Sequence, residues 1–248
     1  MWHGLARTGR DFDAAAVALS QTYVVICPDT VGRGLSSWAK DPETEYCLKN
    51  YAAQALAVLD YYGVNSLRWL GTSMGGLIGI VLAGGALKER ITHLLINDIG
   101  PAVPADALGR IVEYVGAPPI FDTLPEFEAW LRLVYAPFGQ NTPHFWRIMA
   151  DTSARHLPDG RITAHYDPKI TWQFTQHADE LPIWQDYDAI KAKTMLARGA
   201  ASDVLPQALA DEMCARGPKP DLLLFDNCGH APTFSSPDAI AKLRAFFT

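Results

Sequence analysis

Residues 67–83 read LRWLGTSMGGLIGIVLA. Leu67 to Gly71 has the short apolar run of a buried strand, and Met74 to Ala83 reads as a buried helix. Between them stands Gly71-Thr72-Ser73-Met74-Gly75, a G-x-S-x-G pattern at a strand-to-helix turn. The turn is expected to be tight and strained. Side chains at positions 71 and 75 would collide with the neighbouring strand and helix, so both must be glycine. Such a turn lifts the Ser73 hydroxyl out of the sheet. It also puts the positive end of the following helix where negative charge would build up. The Lys-Ser/Thr ending of a phosphate-binding loop is missing, which disfavours that role for the glycines.

Short β-branched runs alternate with helical stretches on both sides of this turn, as in a parallel sheet with helices on its faces. Tyr23 to Cys27 (YVVIC) reads as a buried strand. Tyr51, Ala55, Val58, Leu59 and Tyr62 recur at helical spacing, and Gly63 ends that helix. Further strands are expected at Thr92–Asn97, Thr194–Ala197 and Asp221–Phe225. Pro206 opens a helix that Gly217 closes, and Ser236-Pro237-Asp238 starts a last helix with Ile240, Leu243 and Phe247 on one face. Residues 101–190 break the rhythm. They are rich in Pro, Trp, Phe and Tyr, with helical pieces at Leu124–Val134 and Phe145–Ala154. The expected organisation is an α/β core from 1–100 and 191–248, with a helical cap inserted over 101–190. The cap aromatics are expected to form its own core rather than to meet substrate.

The 248 residues suffice for one domain with a large core. A net charge of -6 argues against general affinity for nucleic acid or anionic membranes. No apolar run is long enough for a membrane span, and no signal segment opens the chain. Cys27, Cys47, Cys214 and Cys228 are widely spaced and read as reduced thiols of a cytoplasmic protein. Cys228, two residues before His230, reads as a small filler beside the site.

A serine hydroxyl needs a base to take its proton and an acid to orient that base. His230 lies in Asp226-Asn227-Cys228-Gly229-His230-Ala231-Pro232, just after the last expected strand, and the other histidines lack that placement. Asp203 follows the strand at 194–197 and is the expected acid. Asp98, which ends the strand before the cap, is the alternative. Two backbone N–H groups should face the developing oxyanion, those of Met74 and of Leu5 in the early loop His3-Gly4-Leu5-Ala6.

Together these residues resemble the α/β-hydrolase superfamily. The likeness rests on His3-Gly4, on Pro28-Asp29 with Gly32-Arg33-Gly34-Leu35-Ser36, on the nucleophile elbow, on the acid loop and on the final Gly229-His230. It covers the chain outside the cap. The resemblance implies a mostly parallel sheet and a Ser73, His230, Asp203 triad in the order Ser, acid, His. Asp29 to Ser36 is expected to be structural.

The family's strand order is 1-2-4-3-5-6-7-8, with strand three leading into the His-Gly loop. Here that loop begins at residue 3, so the usual first strands do not precede it in this sequence. Two central edges, at 23–27 and 67–71, would then lack their common neighbour, which is costly. A longer natural protein, closure of the edges on each other and pairing with a second copy are the three accommodations. The working hypothesis is a homo-oligomer.

The resemblance implies hydrolysis of carboxylic esters of small, fairly apolar substrates through an acyl-enzyme, without metal or organic cofactor. Lactones, thioesters and the carbon–carbon bonds of ring-cleavage products are alternatives for the same triad. A non-catalytic ligand-binding module is the alternative of another class.

Overall fold

The computed structural model describes residues 1–248. Its centre is a parallel sheet of β1 (Leu67–Thr72), β2 (Ile91–Asn97), β5 (Lys193–Gly199) and β6 (Asp221–Phe225), in the order β1-β2-β5-β6. Register is set by pairs such as Gly71 with Ile96, Ile96 with Leu196 and Leu196 with Leu222. Alternate residues of β1, β2 and β5 enter different cores, whereas Leu222 and Leu224 of the edge strand β6 are exposed. Trp69, Leu94, Ile96 and Leu196 join a cluster of 42 buried residues, whereas Leu70, Leu95 and Ala197 join one of 11. Burial on both faces is what the inner strands of a parallel sheet require, and it explains the near-continuous apolar sequences of β1, β2 and β5.

Helices supply the two covers. The larger cluster takes residues from α3 (Leu48–Tyr61) and α4 (Met74–Gly84). The smaller takes Ala15 and Leu19 of α1 (Asp13–Leu19) with Leu243, Phe246 and Phe247 of α11 (Pro237–Phe247). The last helix is capped by the Ser236 hydroxyl, which accepts the Ala239 N–H. Each fully buried leucine contributes about 1.5–3 kcal/mol relative to exposure.

Between β2 and β5 the chain forms α5 (Ala105–Gly116), α6 (Leu124–Val134), α7 (Pro143–Ser153) and the antiparallel pair β3 (Ala154–His156) and β4 (Ile162–Ala164). Thr123 and Glu126 form a capping box at the start of α6. Neither α5 nor the β3–β4 pair was expected from the sequence. Phe127, Leu131 and Trp146 are buried and belong to the same large cluster as the sheet residues. The residues between β2 and β5 therefore share one continuous apolar interior with the sheet.

One expected strand is absent. Residues 23–27 run outside any ladder, and Val24 is 91% exposed. A strand exists only when a neighbour takes up its backbone groups, and this segment has none along its length. Residues 1 and 2 supply the backbone bridge between it and β1, and the Arg68 guanidinium of β1 lies over the Tyr23 ring at 4.8 Å. The Met1 ammonium donates to the Ile26 carbonyl at 2.7 Å. The Trp2 N–H donates to Leu70 at 2.8 Å, and the Thr72 N–H donates to Trp2 at 3.0 Å. Beyond that bridge a mostly apolar groove of about 430 Å³ separates residues 23–28 from β1. The two edges do not close on each other.

Candidate active site

Ser73 sits where β1 passes into α4, with φ 51° and ψ −115°. This is the strained conformation expected of the turn, and the packing around it explains the glycines. A Cβ at Gly71 would lie 2.0 Å from the Gly75 carbonyl oxygen, and one at Gly75 would lie 2.1 Å from the Trp2 carbonyl oxygen. Ser73 N–H donates to the Asn97 carbonyl at 2.9 Å, which ties the turn to the end of β2.

His230 lies in the loop between β6 and α11. Its Nε2 is 2.9 Å from Ser73 Oγ, and its Nδ1 is 2.9 Å from Asp98 Oδ2. A carboxylate only accepts, so Nδ1 carries the proton and Nε2 is left to accept from the serine hydroxyl. Asp98 is fully buried, and its Oδ1 accepts the Gly199 N–H at 3.0 Å. The Asn97 side chain donates to the Pro232 carbonyl at 2.9 Å and so ties the histidine loop to β2.

The expected acid, Asp203, is elsewhere. Its side chain is 52% exposed and pairs with Arg110 of α5 at 2.6 Å. The residue that meets the imidazole is the alternative, Asp98, and this corrects the expectation. The physical reason is the sheet order. β2 and β5 are neighbours and parallel, so the loops that follow them open on the same edge. An acid from either loop is at the right end of the sheet, and only the backbone path decides which one turns inward. At Asp98 the chain takes φ 59°, a left-handed turn that aspartate tolerates.

The early loop lies on the other side of Ser73. Leu5, Ser73 and Met74 line one small cavity, of about 20 Å³, with Leu77, Ile99 and Ile111. The Met74 N–H is the first of α4 and has no acceptor within the helix. The peptide that carries the Leu5 N–H is held by its carbonyl, on Gly4. That oxygen lies 2.7 Å from His3 Nδ1 and accepts the Arg7 N–H at 3.2 Å. His3 Nε2 accepts the Thr30 N–H at 2.9 Å, so the ring proton is on Nδ1 and points at Gly4. Burial lowers the His3 pKa to about 4, which keeps the ring neutral.

Two further readings can be placed. Asp29 takes up loop amides, accepting from Gly9 at 2.7 Å and Leu35 at 2.9 Å, as a loop-building residue does. Cys228 is pushed up to about 11, by burial first and by the Asp98 charge second. It is a thiol at neutral pH, not a second nucleophile. Among the described residues no cluster of three metal-binding side chains occurs, and no helix is long and apolar enough to cross a membrane.

A family model described as "Alpha/beta hydrolase family" matches residues 1–243. The chain is 39% identical over 255 residues to a 3-hydroxybutyrate-oligomer hydrolase of Cupriavidus necator, covering 99% of this chain and 86% of that protein. Among solved structures, a putative hydrolase from Rickettsia typhi superposes with a TM-score of 0.91 at 28% identity, covering 99% of this chain and 84% of that one. An alpha/beta hydrolase from Novosphingobium aromaticivorans superposes with a TM-score of 0.89 at 32% identity, covering 99% and 87%.

Proposed function

Because the chain belongs to the alpha/beta hydrolase family, we propose that it cleaves carboxylic esters through an acyl-enzyme on Ser73. The observation that carries this is the continuous contact from Ser73 Oγ through the His230 ring to Asp98. In the proposed cycle Ser73 Oγ bonds to the ester carbonyl carbon while its proton passes to His230 Nε2. Asp98 holds the ring and balances the charge of the imidazolium. The carbonyl oxygen becomes an oxyanion facing the Leu5 and Met74 N–H groups. Collapse breaks the bond to the alcohol oxygen, which leaves with the proton from Nε2. Water then gives a proton to Nε2 and attacks the acyl carbon. The acid departs and Ser73 recovers its proton.

The proposed substrates are esters of short hydroxy acids, including oligomers of them. Two observations support this choice. The wall beside Ser73 is apolar, formed by Leu77, Ile99, Ile111, Phe174 and Val204, and matches in character the hydrocarbon part of such an acyl group. The Cupriavidus necator relative acts, by its name, on oligomers of 3-hydroxybutyrate.

The test is a comparison of kcat/KM across 3-hydroxybutyrate dimer and trimer, p-nitrophenyl butyrate, a butyrolactone and a butyryl thioester. Ser73→Ala serves as the blank. The dimer or trimer is expected to lead. A lead by lactone or thioester would overturn the substrate assignment but keep the triad. Folded protein that neither turns over any ester nor reacts with a fluorophosphonate would overturn the enzyme itself and favour a binding module.

A further inference from the structure

Arg33 is fully buried, yet no carboxylate lies within ion-pair distance of its guanidinium. A buried cation without an anion is costly, so its hydrogen bonds must hold it. They go to neutral groups from separate parts of the chain. Nε donates to the Leu5 carbonyl at 2.8 Å, and one terminal nitrogen donates to the Val31 carbonyl at 2.7 Å and the Tyr51 hydroxyl at 2.9 Å. The other terminal nitrogen meets Met74 Sδ at 3.5 Å. The guanidinium also lies over the Tyr51 ring at 4.8 Å and the Tyr46 ring at 5.6 Å.

Two of these partners, Leu5 and Met74, are the residues whose amides are assigned to the oxyanion. They come from segments about seventy residues apart, an early loop and the first turn of α4. The only side chain bonded to both is Arg33. His3 fixes the peptide before Leu5 through the Gly4 carbonyl, and Arg33 fixes the peptide after it. The backbone of residue 5 is therefore pinned on both sides.

We propose that Arg33 is a positioning residue for the oxyanion hole, its rigid fork holding Leu5 against Met74 so that their N–H groups converge on one point. The proposal rests on the ester-hydrolase reading above. Arginine suits the task because a planar fork can reach several carbonyls at set angles, which a lysine ammonium does not reproduce. A displacement of about 1 Å in such a site costs about a hundredfold in rate.

The test compares wild type with Arg33→Lys, Arg33→Met and Tyr51→Phe. The last removes one anchor of the guanidinium without adding bulk. Three readouts are taken on p-nitrophenyl butyrate: kcat, KM and the inhibition constant of a trifluoromethyl ketone, whose tetrahedral adduct places an oxyanion in the hole. In Arg33→Met kcat should fall about a hundredfold with KM changed less than about threefold. The ketone's inhibition constant should rise in step with the loss in kcat/KM. Arg33→Lys should recover little, and Tyr51→Phe should fall between it and wild type. Variants that melt earlier but keep wild-type kcat and ketone affinity would make Arg33 a stabiliser of the fold alone and overturn the proposal. If Arg33→Met does not fold, unchanged kcat and ketone affinity in Tyr51→Phe and Arg33→Lys would overturn it equally. An inactive wild type would instead indict the ester-hydrolase reading itself.

Discussion

Replacing Asp98 by Asn, and separately Asp203 by Asn, should separate the two carboxylates that lie beyond neighbouring strands. The Asp98 carboxylate is fully buried, takes the Gly199 N–H on one oxygen and faces His230 Nδ1 with the other. Asparagine keeps the shape but offers an NH₂ group. If that group faces Nδ1, the ring must carry its proton on Nε2 and can no longer accept the Ser73 proton. Loss of the charge also removes the partner of the imidazolium. The expected fall in kcat is about 10⁴-fold, equivalent to about 5.5 kcal/mol in the barrier. Asp203 is more than half exposed, and its partner Arg110 is 43% exposed. Breaking that pair should cost no more than about 1 kcal/mol of stability and leave kcat within about threefold of wild type. Steady-state hydrolysis of p-nitrophenyl butyrate reads the rates, and thermal melting reads the fold. A fully active Asp98→Asn, or a well-folded Asp203→Asn that has lost activity, would refute the assignment of the acid.

Burial of the neutral His3 ring makes stability depend on pH. Folded, the ring takes a proton only near pH 4, whereas an unfolded histidine takes one near about 6.5. Its contribution is therefore full above about pH 6.5 and is lost as the pH falls toward 4, a difference on the order of 3 kcal/mol. Urea unfolding of wild type and His3→Gln at pH 7, 5.5 and 4 should show the steeper fall in wild type. Parallel pH dependence of the two would disprove it. Gly71→Ala should fold poorly or not at all, because its Cβ would meet the Gly75 backbone oxygen rather than a movable side chain. A melting temperature within a few degrees of wild type would show that the turn has room not seen here.

How much of this could be read from residue order follows from the range of each interaction. The Ser73 turn, the capping of the last helix by Ser236 and the apolar strands at 67–72, 91–97, 193–199 and 221–225 depend on neighbours in sequence. They are legible for that reason. The YVVIC run has the composition of a strand but not its structure, because pairing depends on a partner that local sequence does not contain. The hairpin at 154–164 and helix 105–116 lie between β2 and β5, in an aromatic-rich stretch whose sequence carries weak periodicity, and long-range packing sets them. Arg33 gave no signal beyond its place in a glycine loop. The role proposed for it rests on contacts with residues 5, 51 and 74 that only folding brings together.

By itself, then, the order of amino acids determined a parallel α/β sheet, a strained serine at the strand-to-helix turn of 71–75 and a histidine after the last strand. Each of these follows from steric and solvation rules that act over a few residues. Tertiary structure alone decided which carboxylate meets the imidazole, since two parallel neighbouring strands deliver Asp98 and Asp203 to the same edge and a single left-handed residue turns one inward. It also decided that the arginine of an early glycine loop is buried and bonds both the Leu5 carbonyl and the Met74 sulfur.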